Sequence, residues 1–127
     1  MTTPSTQFIE AFGKFVEASQ KIIDKHWEAM GFTYAMPPLL VIDYKTRFVA
    51  VYRRDRSLDG TVSKSGSIHC FVDLTGGTVQ KLHSDVGDIY KPANYSAPTK
   101  HARGNIFSPD FGASCMDEHG PRYLRGG

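Results

Sequence analysis

The segment Gly87–Phe107 holds Tyr90, Lys91, Tyr95, Lys100, His101 and Arg103, with Gly104 and Asn105 directly after. Cationic side chains in such a run can grip anionic oxygens, Arg as a fork and Lys as a point charge. Aromatic faces among them can stack bases, the combination used by single-strand binders. Arg47, Arg53 and Arg54 supply the same chemistry upstream, interleaved with Tyr44, Phe48, Tyr52, His69 and Phe71. The expected anion or nucleic-acid site is therefore Arg47, Arg53, Arg54, Tyr90, Lys91, Tyr95, Lys100, His101 and Arg103. Phe48 and Phe71 are expected in the core, because an antiparallel sheet buries one face. The competing reading pairs Lys100 and Arg103 with Asp88, Asp110 or the tail.

Other chemistries are weaker on spacing. Lys100-His101-Ala102-Arg103-Gly104-Asn105 could cradle a nucleotide phosphate, but no Walker or dinucleotide glycine pattern accompanies it. Cys115 and His119 have i, i+4 spacing, yet a structural zinc site normally needs two such pairs, so no metal is assigned. Asp85, Asp88, His101 and Asp110 are types that acid/base catalysis uses, and no spacing singles them out. No catalytic residue and no cofactor are assigned, and the chain reads as a binding protein rather than an enzyme. Net charge is only +2, but residues 45–103 carry ten Lys/Arg against five Asp/Glu. That middle excess favours an anionic partner. No apolar run approaches 18 residues, so no membrane partner is expected. The start, Met1-Thr2-Thr3-Pro4-Ser5, lacks the basic and apolar regions of a signal peptide. Two cysteines make no disulfide framework and point to a reducing cytoplasm.

These residues need a scaffold, and the apolar periodicity supplies one. Phe8, Phe12, Phe15, Ile22, Ile23, Trp27 and Met30 predict an amphipathic helix over 6–30. Ser5 or Thr6 would cap its start and Gly31 its end, and Gly13 would let it approach the sheet closely. Leu39–Tyr44 and Arg47–Arg54 predict a hairpin around Lys45-Thr46. Ser67–Leu74 predicts a third strand, Thr75-Gly76-Gly77 a tight turn, and Thr78–Leu82 a fourth strand. Gly87–Lys91 either extends the sheet or forms a short edge piece. Coil follows from Pro92, with one helical turn at Pro98–Arg103. The expected class is α+β, one domain over 1–127: a helix at 6–30 packed on one antiparallel sheet of about four strands at 39–91, then a basic loop and irregular segment at 92–127. The terminal Tyr123-Leu124-Arg125-Gly126-Gly127 reads as a flexible end.

Three segments, Ser67–Gly77, Asp88-Ile89-Tyr90-Lys91-Pro92-Ala93 and Ala97-Pro98-Thr99-Lys100-His101-Ala102-Arg103-Gly104-Asn105-Ile106, resemble a group of small proteins of unknown function encoded by tailed bacteriophages. The resemblance spans roughly residues 39–125. It implies a phage origin, a compact α+β fold, and a place in the host-cell cytoplasm or the virion. It carries no activity. The alternatives to nucleic-acid binding are a self-assembling virion or host-interaction protein, a homo-oligomer built on an apolar helix stripe, and a nucleotide-sequestering protein with a pocket at His101 and Arg103.

Overall fold

A computed structural model describes residues 4–122. The first element is a helix, α1 (Thr6–Met30). The Ser5 hydroxyl accepts the Phe8 N–H at 3.1 Å, and Gly31 closes the helix at φ 69°, a left-handed position that costs glycine little. Phe8, Ala11, Phe12, Phe15, Ser19 and Ile23 form its buried face. No helix among the described residues is long and apolar enough to cross a membrane. Gly13 lies on the open side, where an added Cβ would meet nothing, so it does not serve close packing.

Five strands make the main sheet: β1 (Met36–Tyr44), β2 (Phe48–Arg56), β3 (Ser67–Asp73), β6 (Asp88–Asn94) and β7 (Ala97–Asn105), in that spatial order and antiparallel throughout. Two further pairs stand apart, β4 (Gly77–Val79) with β5 (Leu82–Ser84), and β8 (Met116–Asp117) with β9 (Gly120–Pro121). The α+β class is as expected, but the strand assignment changes in two places and is decided in a third. Thr78–Leu82 does not join the main sheet; it folds on itself as β4–β5, turning at Gln80 and Lys81, which both have positive φ. Of the two readings of Gly87–Lys91, the one that extends the sheet holds: the piece opens the interior strand β6 and is not an edge piece. The stretch after Pro92 is a strand, not coil and a helical turn, because β6 turns at Tyr95-Ser96 and β7 returns beside it. Three register shifts in that pair blur the period of two on which the expectation rested.

α1 runs along edge strand β1 in the opposite direction. Phe12 meets Tyr44, ring centroids 6.0 Å apart, and Trp27 Nε1 donates to Ala35 O at 3.0 Å. Between them, the Gln20 amide donates to Pro38 O at 2.8 Å and accepts from Leu40 N at 2.9 Å. Gln20 thus stands in for a neighbouring strand and satisfies backbone groups an edge would leave open. Pro37 and Pro38 sit within β1, where an edge strand tolerates them.

The sheet is buried on both faces at its centre. Val49, Val51, Cys70, Val72 and Ile89 pack under α1 with Ile106 and Met116. Ala50, Tyr52, Phe71 and Tyr90 form a second cluster opposite, covered in part by Val79 of β4. Phe71 and Phe48 belong to this second core, as expected.

Candidate functional site

The second face is only partly covered, and its open portion gathers aromatic and cationic groups. Alternation along β2 brings Phe48, Ala50, Tyr52 and Arg54 to one side. The Arg54 guanidinium lies 5.7 Å from the Tyr52 ring centroid, and its Nη1 donates to Ser63 O and Lys64 O. Tyr95, at the β6–β7 turn, sets its ring 5.7 Å from Tyr52 while remaining 62% exposed. Asn94 Oδ1 holds that turn by accepting from Ser96 N at 2.9 Å.

Two open grooves flank this turn. One, about 400 Å³, is lined by Gly66, Ser67, Ile68, Pro92, Asn94 and Tyr95. The other, about 240 Å³, is lined by Arg47, Phe48, Thr78, Val79, Gln80, Ala97 and Pro98. In the second, Arg47 lies 5.2 Å from the Phe48 ring, but its charge is already committed. Its Nε and Nη2 donate to the Asp73 carboxylate at 3.2 and 3.0 Å. Asp73 is fully buried and also accepts from Thr75 N, Gly76 N and Ser84 Oγ. Burial works against its charge, but the bonds from Arg47, Ser84 and Gly76 outweigh it and hold the carboxyl below its ordinary pKa.

Tyr90 is a correction. It was expected to face a ligand, yet it is buried, and its hydroxyl donates to Ser84 Oγ at 2.7 Å. Tyr90, Ser84, Asp73 and Arg47 therefore form one continuous network that anchors β5 to the sheet. β6 begins at the centre of the sheet, where both faces are covered, so Ile89 and Tyr90 are buried on opposite sides.

Arg53, Lys91 and Arg103 form a second group, on the α1 face. Arg53 Nη1 donates to Glu118 O at 2.7 Å, Lys91 Nζ to Pro121 O at 3.1 Å, and Arg103 Nη1 to Arg122 O at 2.8 Å. Of the three partners the competing reading gave Arg103, it takes the tail, at Arg122 O, and not Asp88 or Asp110. Asp88 accepts from Asn105 Nδ2 and Asp85 N, and Asp110 accepts from Gly112 N and Ser114 N. Lys100 and His101 are exposed on β7. The nine expected residues thus divide: Arg54 and Tyr95 on the open face, Arg47 and Tyr90 in the buried network, Arg53, Lys91 and Arg103 beneath Glu118–Arg122, and Lys100 and His101 exposed on β7. Sequence reasoning weighed Tyr52 only as one of many interleaved aromatics; its i, i+2 spacing to Arg54 was the available signal.

His69 of β3 is 2% exposed, and its Nε2 has no partner. Burial, with the Arg53 charge next, pushes its pKa down to about 4. Burial raises the Cys115 thiol to about 11 and the Cys70 thiol further still, so neither is a ready thiolate. Among the described residues no group of three His, Cys, Asp or Glu is arranged to hold a metal. Tyr123–Gly127, read above as a flexible end, lies outside the described residues.

The architecture is that of an α+β sheet protein with an aromatic, cationic patch on its helix-free face. The chain belongs to a family of unknown function, DUF7717, whose model matches residues 36–123. The matched span begins at the first residue of β1 and takes in the sheet and the chain as far as residue 123, but not α1. No curated protein and no solved structure matches the chain.

Proposed function

We propose that the helix-free face binds single-stranded nucleic acid, with Tyr95 as the stacking platform, Tyr52 supporting it and Arg54 engaging the phosphate backbone. The observation that carries this reading is Tyr95 itself. A tyrosine ring left 62% exposed, braced by a second ring and opening onto a groove of about 400 Å³, presents a flat apolar surface at low entropic cost. Bases have such faces, and the neighbouring cation suits the phosphates that join them. Lys100, exposed on β7, adds to the positive field. The tailed-phage resemblance would place this activity in the host-cell cytoplasm.

Two other readings are less well served. Self-assembly through an apolar helix stripe needs that stripe to be continuous. The exposed large apolar residues of α1 are Ile9 and Met30, at opposite ends and about 30 Å apart at 1.5 Å per residue. A nucleotide pocket at His101 and Arg103 is not open in the fold as it stands, because Arg103 donates to Arg122 O.

The test is a fluorescence binding series with single-stranded DNA and RNA across salt. Tyr95→Ala is expected to weaken binding about 5- to 150-fold, matching about 1–3 kcal/mol for one stacked base. Arg54→Gln is expected to lower the slope of log K against log salt by about 0.7, one phosphate contact. If both variants bind as the parent does, the face is not the site.

A further inference from the structure

On the α1 face, one row of side chains crosses four adjacent strands. Arg53 comes from β2, His69 from β3, Lys91 from β6 and Arg103 from β7. The segment Met116–Arg122 lies over the row, with β9 packed on β3 and β6. Three cations of the row donate to three backbone carbonyls of this strap, those of Glu118, Pro121 and Arg122. A carbonyl oxygen accepts such bonds but does not neutralise the charge that makes them. Among the described residues, neither Arg53 nor Arg103 has a carboxylate within ion-pair distance. Between them sits His69, buried, with a ring nitrogen that nothing satisfies. Buried polar groups are almost always paired in folded proteins, so this exception asks for a partner.

The strap's own backbone ladder is short for a segment that covers so much charge. Its ladder is two residues per strand, supplemented by Arg122 N to Cys115 O at 2.8 Å. The strap lies close against the sheet at Gly120, whose φ is 115°. A Cβ there would lie 2.6 Å from His69 O, so only glycine lets the strap seat.

We propose that Arg53, His69, Lys91 and Arg103 form an oxyanion-binding row, that the strap carbonyls occupy it in place of phosphate oxygens, and that displacing the strap opens it to a phosphate-bearing ligand. The row supplies bidentate and point-charge donors together, with the imidazole as a further donor, the set that phosphate oxygens take. It lies on the opposite face from Tyr95 and stands independently of the reading given there.

Gly120→Ala tests the idea in the full chain, with inorganic pyrophosphate as the probe and titration calorimetry as the readout. The variant is expected to bind pyrophosphate at least tenfold more tightly than the parent at low salt. Adding Arg53→Gln and Arg103→Gln is expected to abolish that gain. A folded Gly120→Ala protein with no gain overturns the proposal. Should the variant not fold, amide exchange on the parent decides. Pyrophosphate is expected to speed exchange at the Arg122 amide, which the closed strap protects, and unchanged exchange at millimolar pyrophosphate overturns the proposal.

Discussion

Lowering the pH from 7 to 4 should destabilise this protein through one side chain, His69. Its ring is 2% exposed, its Nε2 makes no hydrogen bond, and Arg53 and Lys91 face it with like charge. Asp117 acts in the other direction, and His119 adds to the opposing charge. The folded protein therefore keeps the ring neutral down to about pH 4, whereas an unfolded chain protonates it near 6.5. Between those values the unfolded state binds a proton that the folded state refuses. Stability is then fully present above about pH 6.5 and is lost as pH falls toward 4. At about 1.36 kcal/mol per pH unit, the whole window is worth about 3 kcal/mol. That is a large share of the roughly 5–15 kcal/mol a domain commonly has. Asp73 and Asp59 contribute in a lower window, since both are held below the ordinary carboxylate value of 3.8 and Asp59 falls to about 2. Urea melts at several pH values between 7 and 4 would read the loss as a falling midpoint. His69→Phe keeps an aromatic ring and removes the titrating nitrogen, so its midpoint should be much flatter over the same range. Parallel loss of stability in parent and variant would refute the reasoning.

Asp73→Asn should cost about 3 kcal/mol, seen as a lower urea midpoint, because it strips the charge that Arg47 and Ser84 address in a buried network. Gly13→Ala should raise stability by about 1 kcal/mol in the same assay, since the position is helical and a Cβ there meets open space. Phe15→Ala removes a fully buried ring from beneath α1 and should cost about 3–5 kcal/mol, measured by thermal or urea melting.

The helix and first hairpin were legible because their signals are local. The spacing from Phe8 to Met30 has the period of a helix, Ser5 and Gly31 mark its ends, and β-branched runs flank Lys45-Thr46. What followed depends on pairings far apart in sequence. β6 is interior only because β3 lies on one side and β7 on the other, and nothing in Asp88–Asn94 announces either neighbour. Burial of β3 on both faces also erases alternation, leaving His69 through Asp73 continuously buried. The candidate site suffered most from this. Basic and aromatic types alone pick out Arg54 and Tyr95, which lie on the open face, but could not show that Tyr90 would donate to Ser84, or that Arg53, Lys91 and Arg103 would turn to backbone carbonyls. Arginine serves both purposes with the same donors, and only the fold decides which acceptor comes within reach.

Amide chemical-shift mapping of the full chain with a short single-stranded oligonucleotide addresses the central claim most directly. Binding on the helix-free face predicts shifts concentrated at Ser67, Ile68, Asn94 and Tyr95, weakening as salt is raised. Shifts confined to α1 and the strap, or none at low salt, would contradict it.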